Sequence, residues 1–292
     1  MFATHRIAPA RSYLYVPGNR TDMLAKATQR HADALIIDLE DAVAMTDKEA
    51  ARRDVAAWIS RLDAADADLW VRVNSQPELM ADDVRAVSGP KLRGVYLPKV
   101  ASVEEVEWLA DLLGNVEEAA GMQQGAMQIA ALVETARGLL ALNEIATGPR
   151  VAHLALGEAD LAADLGMDPS PDGRELASIR SAVVVASAAA DINPPIGPVD
   201  TDPTNLDHLG ETSLALRRMG YGGRAAIHPD QIPVINSSFM PNDDERRSAL
   251  DTVARFEAAN GGVTRASDGS LIDAAVVRRA RLLLESAERG NR

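Results

Sequence analysis

The sequence predicts an α/β protein of the (β/α)8 TIM barrel class with a C-terminal helical extension. Three observations carry this. Eight apolar strand patterns alternate with helical patterns at roughly thirty-residue intervals over about 230 residues. Several strands are near-continuous apolar runs, ALIIDL at 34–39 above all, as strands covered on both faces are. No glycine-rich dinucleotide turn follows the first strand, which places a doubly wound sheet second to the barrel.

The first strand, 12–16, closes at Pro17-Gly18-Asn19, and the helix after it is expected to be capped by Thr21 or Asp22. The second strand, 34–39, runs into Glu40 and Asp41, and a helix over 48–59 repeats Val55 and Ile59 at one-turn spacing. The third strand, 69–73, ends at Arg72, Val73 and Asn74; the fourth, 94–97, ends at Pro98 and Lys99, with a helix over 103–113 behind it. The stretch 129–166 is the centre of the chain. Its strand patterns, 129–134 and 151–157, flank a helix over 136–146 that Gly148 and Pro149 stop. A strand–helix–strand of this length is a right-handed crossover, so Glu134 after one strand and Asp160 past the next emerge on the same edge of a parallel sheet.

A Gly/Pro/Asp loop over 166–173 and a long helix over 174–190 follow. The seventh strand, 192–196, is poor because Pro194 and Pro195 lack ladder donors. A helix over 206–219 stops at Gly220, and the eighth strand, 224–227, leads to His228-Pro229 and a short helix. The barrel is assigned to residues 1–240. Residues 241–292 form the extension: a helix over 243–259, a Gly-rich turn, and a last helix over 274–287 opened by Asp273. A barrel needs none of this tail, so it is expected to stay within the same domain and to cover something, such as a neighbouring subunit.

The chain has 292 residues, 47% hydrophobic and 25% charged, as a globular protein with an ample core does. A net charge of −13 argues against nucleic acid as the main partner. The absence of cysteine removes disulfides, thiolate zinc sites and thiol nucleophiles together. The leader MFATHRIAPA has no apolar h-region, and no apolar span is long enough for a membrane, so a cytoplasmic location is expected.

Barrel enzymes work at the C-terminal strand ends, and this chain gathers Glu40, Asp41, Arg72, Asn74, Lys99, Glu134, Asp160 and His228 there. Converging carboxylates repel, so they need a cation between them or raised pKa values. Two acids, with water and substrate oxygens completing an octahedron, suit Mg²⁺. Arg72 has the planar fork that fits a substrate carboxylate, or it pairs with Glu40 or Asp41. Lys99 reads as charge-paired rather than as a Schiff-base amine. His228 is an acid/base, a phosphate ligand or a loop-fixing partner. His153 reads as a core histidine or one that backs the site's own residues, and the 220–224 turn (GYGGR) as a weak phosphate cradle.

The motifs RSYLYVPGN, DLEDAV, VRVN, LPKV, LVETARG, GEADLAADLG and GYGGRAAIHPDQ, in order from Arg11 to Gln231, resemble the citrate lyase beta subunit branch of the HpcH/HpaI aldolase superfamily. SLIDAAVVRRA in the tail is similar as well. The resemblance implies a Mg²⁺-dependent carbon–carbon lyase that makes or breaks the bond between a 2-keto acid and the α-carbon of an acyl thioester. The thioester would be on CoA or an acyl-carrier protein, of citryl, malyl or citramalyl type, and the assembly a homotrimer or hexamer. Carried over by motif, Glu134 and Asp160 are the metal ligands and Arg72 holds the keto-acid carboxylate. The backbone N–H groups of Glu158 and Ala159 meet the same end of the substrate. Glu40 and Asp41 hold waters around the metal, and Asp273 is a catalytic acid supplied to a neighbouring subunit. One departure stands out: NPPIGPV occupies the seventh strand, where many relatives carry an acid. A thioester hydrolase on the same scaffold, a Schiff-base aldolase on Lys99 and a non-catalytic thioester-binding subunit are the competing readings.

Overall fold

The structure, a computed structural model, describes residues 10–62 and 68–289; most of the leader lies outside them. The chain divides into two compact units, Met1–Asn236 and Ser237–Arg292. In the first, the strands follow one another around a closed parallel barrel: β1 (Ser12–Pro17), β2 (Ala34–Asp38), β3 (Asp68–Arg72), β4 (Gly94–Leu97), β5 (Gln128–Val133), β6 (Val151–Leu156), β7 (Ile196–Gly197) and β8 (Gly223–Ala226). β1 closes the ring on β8, with Ser12 opposite Arg224.

Between the strands lie α1 (Thr21–Leu24), α2 (Lys48–Arg61), α3 (Pro77–Val87), α4 (Val103–Ala119), α5 (Ala136–Leu140), α6 (Leu142–Ala146), α7 (Glu158–Leu165), α8 (Ala177–Ala189) and α9 (Leu206–Met219), with α10 (Gln231–Phe239) after β8. Three expectations need correction, and two helices are new. The N-cap of α1 is Arg20, with no side-chain cap bond, so neither Thr21 nor Asp22 caps it. The expected 136–146 helix breaks at Ala141, whose ψ of 10° ends α5 and starts α6. The seventh strand shrinks to Ile196–Gly197, because the two prolines before it supply no N–H for the ladder. α3 and α7 have no counterpart among the patterns above; α3 starts at Pro77, whose missing N–H costs nothing in a first turn.

Side-chain alternation builds the barrel interior. Tyr13, Ile36, Trp70, Tyr96, Ala130 and Leu132 share one buried cluster. Ten aromatic residues serve the whole chain, and three of them are stacked here, Trp70 meeting Tyr96 edge-to-face at 5.6 Å. His153 belongs to this layer, 5.9 Å from Trp70, with Nδ1 3.3 Å from the Pro194 carbonyl. Burial pushes its pKa down to about 4, so it is neutral core, one of its two expected places. Two residues beyond Ile36 and Trp70, period two turns Asp38 of β2 and Arg72 of β3 toward the same interior, and the two are register partners.

In the second unit, α11 (Asp243–Ala258) opens with a capping box between Asn242 and Glu245. A two-stranded pair, β9 (Thr264–Arg265) and β10 (Leu271–Ile272), leads to α12 (Ala274–Arg289). Among the described residues no helix is long and apolar enough to cross a membrane.

Candidate active site

A cavity of about 420 Å³ opens at the C-terminal strand ends, and Tyr15, Asp38, Arg72, Glu134, Glu158 and Asp160 are part of its lining. Arg72 ends β3 and is held firmly. Its Nε and Nη2 donate to the two Asp38 oxygens at 2.8 and 2.6 Å, Nη1 lies 3.0 Å from Glu40, and Cζ sits 5.1 Å from the Tyr15 ring centre. Burial alone would lower the guanidinium's pKa, but the Asp38 hydrogen bonds and nearby acidic groups leave it raised. The cation is permanent. Asp38 also accepts the backbone N–H groups of Glu40 and Ala42, at 2.9 and 3.1 Å. One carboxylate therefore sets both the Arg72 fork and the loop that carries Glu40 and Asp41.

Lys99 joins the other acids. Its Nζ donates to Glu40 and, at 3.1 Å, to Asp41, while its backbone N–H donates to Glu134 at 2.8 Å. The residue adopts a left-handed φ of 54°, uncommon for a side chain of this kind, which aims both groups at carboxylates. Burial would lower the Lys99 pKa; Glu40 and Asp41 raise it, so the amine stays charged, contrary to what a Schiff base requires. Burial raises the Glu40 carboxyl in spite of its two cations. In the more exposed Asp41, burial is outweighed by the Lys99 hydrogen bond and the pKa is lowered.

Glu134 follows β5 and is 2% exposed. It lies against Gly157, where a Cβ would come within 2.5 Å of its Oε2, so that position has room only for glycine. Burial, then the charge of Glu40, pushes Glu134 up to about 7; Asp160 adds to the rise, and the Lys99 N–H opposes it. Asp160 stands in the first turn of α7, beside the cavity. The N–H groups of Glu158 and Ala159 belong to that same turn, where a helix leaves its donors unpaired. The Glu158 side chain is occupied: Arg180 from α8 grips it at 2.5 and 2.7 Å.

These donors fit a hard dication. Among the described residues no three His, Asp or Glu groups gather to hold a metal alone. Mg²⁺ asks for less, one or two carboxylates plus water and substrate oxygens. Glu134 and Asp160 offer that, since neither has an ion pair among the described residues, and the Glu134 pKa is raised first by burial and then by the charges of Glu40 and Asp160, both of which a cation would offset.

Of the expected site residues, Arg72, Glu134, Glu158, Ala159, Asp160 and Asp41 line the cavity, and Glu40 sits behind them on Arg72 and Lys99. His228 does not line it; its exposed ring accepts the Asp230 N–H at 3.2 Å and fixes the loop. The GYGGR turn is no phosphate cradle, because the Arg224 guanidinium is buried on Pro198 O, Thr212 and Ser213. Asp273 caps α12 in the second unit, its Oδ1 accepting the N–H groups of Ala275 and Val276 at 2.9 Å. Asp38, Tyr15 and Arg180 escaped the sequence reading. The lone acid inside ALIIDL was the available signal for Asp38.

The sequence pattern of the family described as HpcH/HpaI aldolase/citrate lyase matches residues 11–229. Citrate lyase subunit beta of Haemophilus influenzae is 29% identical, over 97% of this chain and 98% of that one. A (3S)-malyl-CoA thioesterase of Cereibacter sphaeroides is 33% identical, over 97% of this chain and 96% of that one. Among solved structures, CitE of Mycobacterium tuberculosis in complex with magnesium, acetoacetate and coenzyme A superposes with a TM-score of 0.80 at 29% identity, covering 97% of this chain and all of that one.

Proposed function

The chain belongs to the HpcH/HpaI aldolase/citrate lyase family, and from that premise we propose that it is a Mg²⁺-dependent carbon–carbon lyase acting on a β-hydroxyacyl thioester. The observation that carries the reading is the pairing of a fixed cation, Arg72, with two carboxylates, Glu134 and Asp160, that have no ion pair among the described residues, around one cavity. The magnesium-bound CitE structure supports the choice of ion. Glu134 and Asp160 hold it, and when bound it supplies Lewis-acid charge to the substrate's hydroxyl and carboxylate oxygens.

Arg72 orients the carboxylate on the hydroxyl-bearing carbon, with Asp38 keeping the guanidinium fork in place. The N–H groups of Glu158 and Ala159 bind the same end of the substrate. Glu40 and Asp41, with Lys99 shared between them, accept hydrogen bonds from water around the metal. The hydroxyl proton passes to a base and the C–C bond breaks. Its electron pair goes to the α-carbon of the thioester, which takes up a proton, and the hydroxyl carbon leaves as the ketone of a 2-keto acid. Asp273, brought by a neighbouring subunit of a homotrimer or hexamer, is the proposed proton-transfer group. The acyl thioester rides on CoA or an acyl-carrier protein.

A thioester hydrolase is the second reading, favoured by the similarity to (3S)-malyl-CoA thioesterase. There water adds to the thioester carbonyl, the C–S bond breaks, and the thiol leaves with the C–C bond intact. Chelation tests the metal claim shared by both. Turnover should vanish in EDTA, return with Mg²⁺, and be absent in folded Glu134→Gln and Asp160→Asn proteins. Full activity of the stripped protein would overturn the proposal.

A further inference from the structure

We infer that the cavity selects a monocarboxylic 2-keto acid with a small alkyl tail, such as pyruvate or 2-oxobutyrate, against a dicarboxylic one such as oxaloacetate. This deepens the lyase reading and rests on it. The lining carries five acids, Asp38, Asp41, Glu134, Glu158 and Asp160, and one basic residue, Arg72. Two more cations act from behind the lining: Lys99 on Asp41 and Arg180 on Glu158. A dication on Glu134 and Asp160 would offset the remaining pair. Arg72 already gives Nε and Nη2 to Asp38 and has Glu40 at 3.0 Å. It can accommodate one further carboxylate, and among the described lining residues no cation remains for a second.

The ring order says where a second carboxylate would go. In a closed barrel of eight strands, β7 stands across from β3. A keto acid anchored on Arg72 at the end of β3 therefore extends toward the β7–β8 side. Ile196, Val199, Ala225 and Ile227 line the cavity there, with Leu132 and Ala155 beside them. Tyr15 and Tyr96 also line the cavity without adding charge, the Tyr96 hydroxyl being buried with no partner among the described residues. A methyl or ethyl group is welcome on such a wall, while a carboxylate would lose water without gaining a partner.

The test uses the full-length protein with Mg²⁺ and acetyl-CoA, offered pyruvate, 2-oxobutyrate or oxaloacetate. Condensation products are identified by mass, which separates citryl-CoA from the product of pyruvate formed by decarboxylation of oxaloacetate. Binding of the same three acids to the Mg²⁺-loaded protein is measured in parallel by calorimetry. Pyruvate and 2-oxobutyrate are expected to surpass oxaloacetate by at least roughly tenfold in affinity and in kcat/KM, the scale on which pockets discriminate small groups. Ile227→Arg, at a side chain 44% exposed and so tolerant of change, is expected to shift that ratio toward oxaloacetate by about fivefold or more. Oxaloacetate bound as well as pyruvate overturns the inference, as does a ratio that Ile227→Arg leaves unchanged, or a protein that binds none of the three. If the binding order holds but nothing condenses with acetyl-CoA, the selectivity stands and a lyase acting on CoA thioesters falls.

Discussion

Asp38 and Arg72 face each other across neighbouring strands, and the carboxylate takes Nε and Nη2 of the guanidinium at 2.8 and 2.6 Å. A lysine has one charged head and cannot span both oxygens while presenting a second edge to substrate. Arg72→Lys is expected to lose nearly as much kcat/KM as Arg72→Ala, on the order of 2–4 kcal/mol of transition-state binding. Retention of most kcat/KM in the lysine variant would make Arg72 a structural ion-pair partner.

Asp38→Asn keeps the size of the side chain but turns an amide donor toward the guanidinium or the loop N–H groups. It should raise KM for the keto acid in condensation by roughly tenfold or more, because a misoriented fork grips the carboxylate less well. Calorimetry with pyruvate reads the same loss without turnover. An unchanged KM would show that the fork is held by Glu40 and Tyr15 alone.

Much of this architecture was legible because buried strands advertise themselves as apolar runs. An acid at the end of such a run, as at Glu134, is visible at once. Asp38 was hidden by the same rule, counted into the run ALIIDL, and its partner lies 34 residues away, so only register reveals the pair. Arg72 was expected beside Glu40 or Asp41, and it does contact Glu40, though Asp38 holds it more closely. Arg180 could not be foreseen as the neutraliser of Glu158, since the loop between α7 and α8 decides that approach. The GYGGR turn failed in the opposite sense: an arginine beside glycines looked accessible, yet the strand pattern of β8 buries it.

Glu134 holds its proton more tightly in the folded chain, at about 7 against an ordinary 4.5. Between those values the folded state binds more protons than the unfolded one, so this group's contribution falls as pH rises, and the full penalty is present above 7. In EDTA at pH 8, Glu134→Gln should thus be more stable than the parent, by about 1–3 kcal/mol. Mg²⁺ should raise the Tm of the parent and leave the variant's unmoved. Lower stability of the variant in EDTA, or an equal response to Mg²⁺, would contradict a strained carboxylate waiting for a cation.

Asp273 caps α12, and a cap alone is worth about 1 kcal/mol with little effect on rate. The proposed trans role predicts more. Asp273→Asn should fold yet be inactive. Dissociated and reassembled with equally inactive Glu134→Gln protein, it should regain activity at interfaces that pair an intact barrel with an intact tail. Full activity of Asp273→Asn by itself leaves only the cap, and failure to complement after verified subunit exchange removes the trans assignment.

The most direct measurement is product identity from malyl-, citramalyl- and citryl-CoA, followed with and without Mg²⁺. The account predicts acetyl-CoA and a 2-keto acid in equal amounts from at least one of them, with Mg²⁺ required and Glu134→Gln inactive. Free CoA accompanied by the intact hydroxy acid, or cleavage that proceeds in EDTA, would contradict it.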